Sequence, residues 1–196
     1  MENKLQLYLA SASPRRQELL EQIGVDYQVI AQDIKEDIKR GEAPEEFVIR
    51  MALEKSRAAL GALGKDQRFA VIGADTAVVI DGKVLGKPKD KQDGMHMLEL
   101  LSGREHYVLS AVALVTEIEK SRLSVSKVRF RKIQEKERDA YWETGEPSGK
   151  AGGYAIQGMA AVFIEHLEGS YSGVMGLPLF ETAELLQESG VAIFNK

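Results

Sequence analysis

The most informative residue is a carboxylate in an apolar run. In Ile72-Gly73-Ala74-Asp75-Thr76, Asp75 breaks a stretch that otherwise reads as a buried strand. An ionised carboxylate there is costly unless it binds a metal or accepts hydrogen bonds. Ligands in α/β sheets collect just beyond strand ends, and the spacing puts Asp75 at or near one. The competing reading, a carboxylate that caps a turn, is the weaker of the two. A second feature is Ser11-Ala12-Ser13-Pro14-Arg15-Arg16. Ser13-Pro14 marks a helix start, which puts two arginines in the first turn, where the helix dipole is already positive. Free N–H groups with two guanidinium forks suit a phosphate. The alternative is arginines that are solvated or paired with Glu18 or Glu21.

Three further positions carry weaker signals. Along a helix from Pro44 to Leu63, at about 100° per residue, Lys55 falls at the centre of the apolar face formed by Phe47, Val48, Met51, Ala52, Ala58, Ala59 and Ala62. A lysine there must snorkel, pair or point into a cleft, which leaves a carboxylate such as Glu36 or a phosphate as its partner. Leu85-Gly86-Lys87-Pro88 places a lysine after a glycine that allows close backbone approach, and the chain contains no Walker A loop. In Glu146-Pro147-Ser148-Gly149-Lys150-Ala151-Gly152-Gly153-Tyr154-Ala155-Ile156-Gln157-Gly158, Gln157 offers donors and an acceptor suited to a base edge; a structural turn is the plainer reading. Ser102-Gly103-Arg104 reads as a helix C-cap. His96, His106 and His166 are isolated, and without cysteine a zinc site is not expected. Basic groups and one intrusive carboxylate near element ends suit a polyphosphate held with a hard divalent cation.

The elements that must position these residues are mixed. Strands are expected over Leu5–Ala10, Tyr27–Ala31, Phe69–Ala74, Thr76–Ile80, Lys83–Leu85, Tyr107–Val115, Ser126–Arg131 and Ala160–Glu165. Helices are expected over Pro14–Ile23, Pro44–Leu63, Asp90–Leu101, Gln134–Glu143 and Pro178–Ser189, with a tight turn at Asp81-Gly82. Hairpins among helices make the class α/β with a mixed sheet and flanking helices. The net charge of −4 and the lack of a basic stripe with interleaved aromatics argue against nucleic acid. No apolar run reaches the ~20 residues of a membrane span. Glu2, Asn3, Lys4 and Gln6 keep Met1–Tyr8 from forming a signal-peptide core, so the cytoplasm is the expected location.

In this order, the segments resemble the Maf family of nucleoside triphosphate pyrophosphatases: Ser11-x-Ser13-Pro14-Arg15-Arg16, Lys55, Gly73-Ala74-Asp75-Thr76, Leu85-Gly86-Lys87-Pro88, Ser102-Gly103-Arg104 with His106, and Lys150-Ala151-Gly152-x-Tyr154-x-Ile156-Gln157-Gly158. Gly169-Ser170-Tyr171 and Gly176-Leu177-Pro178 also fit, whereas Ser126 stands where threonine is commoner. The resemblance covers essentially all of residues 1–196 as one domain. It implies two lobes around a central cleft, similar to inosine triphosphate pyrophosphatases, and water attack at the α-phosphorus with release of pyrophosphate. Asp75 would be the general base and a ligand of Mg²⁺ or Mn²⁺, with Glu36 as a second metal or nearby carboxylate. Arg16, Lys55 and Lys87 would hold the triphosphate, with Ser13 at the helix start and Arg15 shared between phosphate and specificity. Arg15, Thr76 and Gln157 match positions associated with base selection in the dTTP- and UTP-acting subgroup. That points to pyrimidine triphosphates, modified ones included, over 7-methyl-GTP, and to pool cleansing or regulation of cell division; a homodimer fits the family. The rivals are a phosphotransferase, disfavoured by the missing Walker A loop, and a non-catalytic nucleotide-binding regulator, which would not need Asp75.

Overall fold

The computed structural model describes residues 5–64 and 69–194; the first four residues of the stretch read against a signal peptide lie outside this range. Seven strands form one mixed sheet: β1 (Gln6–Leu9), β2 (Gln28–Val29), β3 (Phe69–Ile80), β4 (Lys83–Leu85), β5 (Glu105–Val115), β6 (Glu119–Phe130) and β7 (Ile164–Glu168). The order is β2-β1-β3-β5-β6-β7, with β4 also on β3. β1 runs parallel to β2 and β3, and the other pairings are antiparallel. Six helices flank the sheet: α1 (Pro14–Gln22), α2 (Pro44–Leu63), α3 (Lys91–Leu101), α4 (Glu135–Glu143), α5 (Tyr171–Met175) and α6 (Leu179–Glu188).

Alternation along β3 sorts the core. Ala70, Ile72 and Ala74 join Leu9, Leu20, Leu114 and Leu186 in one cluster, and Val78 and Ile80 join Leu98, Leu101, Phe130 and Phe163 in a second. The other face carries Phe69, Val71, Ala77 and Val79, packed under α2 through Ala59, Val48, Met51 and Ala52. Gly73 lies on that face. A Cβ there would run into the Ala52 carbonyl oxygen and Ser56 Oγ, so the helix crosses the strand in direct backbone contact. Asp81 and Gly82 join β3 to β4 with φ of 51° and 71°, the left-handed pair that a two-residue hairpin of this hand demands.

The structure corrects three expectations and adds one element. β3 does not break at Asp75, because β5 pairs with it without interruption from Val71 to Val79 along one edge; Asp75 is therefore mid-strand. β6 begins at Glu119 rather than Ser126, since it pairs with β5 along its whole length. The expected strand at Ala160 is a 3₁₀ turn over Met159–Phe163, and β7 follows it. The Glu146 carboxylate accepts the Met159 and Ala160 N–H groups at 2.9 and 3.3 Å, which holds that turn. The short α5 was not expected; its start is capped by Ser170, whose Oγ accepts from the Gly173 N–H.

Candidate active site

The site follows from how β3 is shared. On one edge β1 pairs with residues 69–72 and β4 with residues 78–80. The Ala10 N–H donates to the Ile72 carbonyl at 2.7 Å as a last rung. Beyond it the chain turns away through Ser11–Ser13 into α1, and β4 leaves through Gly86 and Lys87. The edge between, Gly73–Ala77, carries no strand partner on this side. A cavity of about 720 Å³ opens there, in the size range of small-molecule sites. Because it opens at an edge, it reaches residues from both faces of β3, Asp75 on one and Thr76 on the other.

On the α2 side, charges form a chain. Lys55 Nζ lies 2.6 Å from Asp75 Oδ1 and 2.6 Å from Glu36 Oε1, and Lys87 Nζ lies 3.0 Å from Glu36 Oε2. Asp75 and Lys55 are only 6% and 8% exposed, so the helical projection placed Lys55 correctly, with Asp75 as its closest carboxylate alongside Glu36. Burial pushes the Asp75 carboxyl up, against the pull of Lys55 and Arg16. At Glu36 burial acts in the same direction, but the hydrogen bonds from Lys55 and Lys87 overcome it and hold the group at about 2. On the other side, Arg16 donates from Nε to the Gly176 carbonyl at 2.8 Å and from Nη1 to Ser11 Oγ at 3.2 Å. Burial lowers the Arg16 pKa, and the nearby Asp75 opposes this. Thr76 Oγ1 sits 2.9 Å from Ser110 Oγ, which donates to the Gly173 carbonyl at 2.5 Å.

At the start of α1, the Ser13 side chain makes no capping bond and the first turn holds no acidic residue. Ser13, Pro14 and both arginines line the cavity. The structure thus brings together Ser13, Arg15, Arg16, Glu36, Lys55, Asp75, Thr76 and Lys87. It does not bring Gln157 with them: that side chain is exposed and the residue does not line the cavity. The same glycine-rich segment instead contributes Lys150 and Tyr154, and the polar stretch after β2 contributes Gln32 and Asp33. Gln32 and Asp33 were not singled out from the sequence, because polar loop residues carry no periodic signal; Lys150 and Tyr154 stood in the glycine-rich motif, but no role was read for either. Arg104 pairs with Asp81 at 2.6 Å, outside the cavity, in keeping with the capping role read for its segment. His106 is buried with Nε2 2.8 Å from the Tyr154 hydroxyl, and burial lowers its pKa to about 4.

No group of three or more His, Cys, Asp or Glu side chains suited to a metal ion occurs among the described residues. The carboxylates at the site are Glu36 and Asp75, joined through Lys55, and Asp33, which also lines the cavity. A small hard cation bound by one or two carboxylates and completed by substrate phosphates needs no more than that.

Fold and site together define an α/β protein whose cleft, lined by basic residues, is built round a buried carboxylate–ammonium pair. The chain belongs to the Maf family: the family model described as Maf-like protein matches residues 6–189. A dTTP/UTP pyrophosphatase of Alkalilimnicola ehrlichii is 57% identical over 185 residues, covering 93% of this chain and 92% of the relative. Another from Saccharophagus degradans is 49% identical, covering 99% and 93%, and one from Methylococcus capsulatus is 50% identical, covering 95% and 92%. Among solved structures, the Ham1 protein of Staphylococcus aureus overlaps 64% of this chain and 71% of its own at 20% identity, with a TM-score of 0.46.

Proposed function

We propose that this chain hydrolyses dTTP and UTP to the monophosphate and pyrophosphate. The observation that carries the proposal is Asp75, a buried carboxylate ion-paired to Lys55 in a cavity lined by basic residues, in a chain whose near relatives are named for that reaction. A water oxygen forms a bond to the α-phosphorus while the bond from that phosphorus to the bridging oxygen of the β-phosphate breaks. Asp75 takes the proton of the attacking water, a role suited to a carboxylate whose pKa burial has raised. Lys55, Lys87 and Arg16 orient the phosphates and offset their charge, so the work is mostly positioning and electrostatics. Glu36 and Asp75 would hold Mg²⁺ or Mn²⁺, which supplies charge neutralisation on the phosphates and acidifies water.

The two apolar clusters at the ends of β3 support reading the chain as one domain of two lobes with the cleft between them. We place the reaction on free nucleotides in the cytoplasm; no helix among the described residues is long and apolar enough to cross a membrane. Light scattering on the same preparation reads the homodimer expected from the resemblance.

A nucleotide panel with Mg²⁺ or Mn²⁺, separating pyrophosphate from orthophosphate, tests the reaction. Pyrophosphate with dTMP or UMP is the expected result, and orthophosphate with a diphosphate product would overturn it. The exposed position of Gln157 is the reason to include 7-methyl-GTP: preferential turnover of that nucleotide keeps the chemistry and reverses the base assignment.

A further inference from the structure

Residues 30–43, between β2 and α2, have no regular structure. They nevertheless bring Gln32, Asp33, Glu36 and Ile38 to the cavity that fills the gap along the edge of β3. The Glu36 carboxylate is held by Lys55 at 2.6 Å and Lys87 at 3.0 Å. The main chain that carries it is nearly bare. Among the described residues, the main chain of residues 31–38 makes one hydrogen bond, in which the Asp37 carbonyl accepts from Arg50 Nη2 at 2.9 Å.

Arg50 stands on α2, and all three of its guanidinium nitrogens are engaged. Nε and Nη2 donate to the two Glu42 oxygens at 2.5 and 2.7 Å, and Nη1 donates to the Glu54 carboxylate at 3.2 Å. A planar fork serves these acceptors together, which a lysine cannot do. Glu42 in turn accepts from the Lys39 N–H at 2.9 Å, so Arg50 grips the irregular segment at residues 37 and 42. Neither Arg50, Glu42 nor Glu54 lines the cavity.

One helix therefore holds Glu36 twice. Lys55 takes its side chain from inside the cleft. Arg50, less than two turns earlier, takes the adjoining peptide from outside. A polyphosphate treats the two tethers differently. Its oxygens accept hydrogen bonds from the same ammonium groups of Lys55 and Lys87 and compete with Glu36 for them. The acceptors of Arg50 lie outside the cavity, where the ligand does not reach. When Glu36 gives up its ammonium partners, the segment keeps the Arg50 bonds and the packing of Ile34 against the α2 cluster.

We propose that Arg50 is a positioning residue: from outside the cavity it fixes the peptide beside Glu36 and keeps that carboxylate at the site while substrate takes over Lys55 and Lys87. The proposal rests on the pyrophosphatase reading for the role of Glu36, but its test needs no turnover. Titration calorimetry with α,β-methylene-UTP and Mg²⁺ compares the wild type, Arg50→Met, Glu36→Gln and the double variant. Methionine keeps an apolar stem beside the Phe47 ring, over which the guanidinium lies at 5.7 Å, and loses the fork. Arg50→Met is expected to weaken binding by about tenfold, as for loss of a charged hydrogen bond. In the Glu36→Gln background the same change should weaken it by less than about twofold, because residues that act through one another are not additive. A merely structural role would give equal losses in both backgrounds. Equal losses, an unchanged affinity in Arg50→Met, or a wild type that does not bind the analogue overturns the proposal. If Arg50→Met does not fold, Arg50→Lys, which keeps the charge and loses the fork, takes its place. Coupled losses in a chain that leaves dTTP and UTP intact would instead sink the proposed function and leave the positioning role standing.

Discussion

At the scale of single residues, the cleft trades stability for chemistry. Asp75 sits where water is scarce, and its pKa is raised because burial penalises the charge more than Lys55 and Arg16 relieve it. A carboxyl whose folded pKa lies above its unfolded one weakens the fold as pH rises through that folded value. The nearly isosteric amide of Asp75→Asn removes this penalty, and Lys55 keeps Glu36 at 2.6 Å. We therefore expect Asp75→Asn to melt no lower than the wild type near neutral pH, with the difference shrinking as the medium becomes acidic. Turnover should fall by about a thousandfold, as for loss of a general base. A variant that keeps its activity would remove Asp75 from the mechanism. His106 has the opposite dependence. Burial lowers it from 6.5 to about 4, so between those values the unfolded chain takes up a proton that the folded chain refuses. Stability should be lost as pH falls from 6.5 to 4, by on the order of 3 kcal/mol over the interval. Denaturant titrations across this range should show a flatter acid slope for His106→Gln, even though that variant is less stable overall because the Tyr154 contact changes.

At the scale of elements, the crossing of α2 over β3 sets the reach of Lys55. Gly73 lets the helix backbone touch the strand, and Lys55 follows Ala52 by less than one turn. A methyl at Gly73 meets the Ala52 carbonyl oxygen and Ser56 Oγ, neither the end of a flexible side chain, so the helix must move. Gly73→Ala is expected to cost about 1–3 kcal/mol, as overpacking does, and to lower kcat by loosening the Lys55–Asp75 pair. Melting and steady-state kinetics check both, and a variant with native melting temperature and kcat would show that the contact is slack. This crossing also marks what the sequence discloses. The 3.6-residue period of α2 placed Lys55 on the buried face, and Ser13-Pro14 and Asp81-Gly82 announced their helix start and hairpin through local backbone chemistry. The continuity of β3 past Asp75 was hidden, because it depends on pairing with β5, some thirty residues away. The turn at Met159 was hidden as well, since it is fixed by a carboxylate at Glu146. Arg50 gave no signal in the sequence, because its acceptors at Asp37 and Glu42 could be seen only once the irregular segment had a position.

At the scale of the whole molecule, the cavity is lined from the start of α1, the stretch after β2, α2, β3, the exit of β4, the glycine-rich segment and α5. These parts belong to separate apolar clusters, and β3 runs through all of them. A ligand that bridges the gap therefore ties together regions that otherwise share chiefly the sheet. Binding to the folded state alone stabilises by RT ln(1 + [L]/Kd), about 2.7 kcal/mol at a hundredfold excess over Kd. For a chain of this size each kcal/mol shifts Tm by about 2–4 °C. With Mg²⁺ present, α,β-methylene-UTP at that excess should raise Tm by roughly 5–10 °C. Uridine, which cannot engage the charged residues on either side of the gap, should have almost no effect. Lys55→Ala and Arg16→Ala should each reduce the shift, because they remove phosphate contacts from opposite sides of β3. If uridine alone matched the analogue, the base would be the main source of binding, and the phosphate-spanning cleft described here would be the wrong account of how this fold holds its substrate.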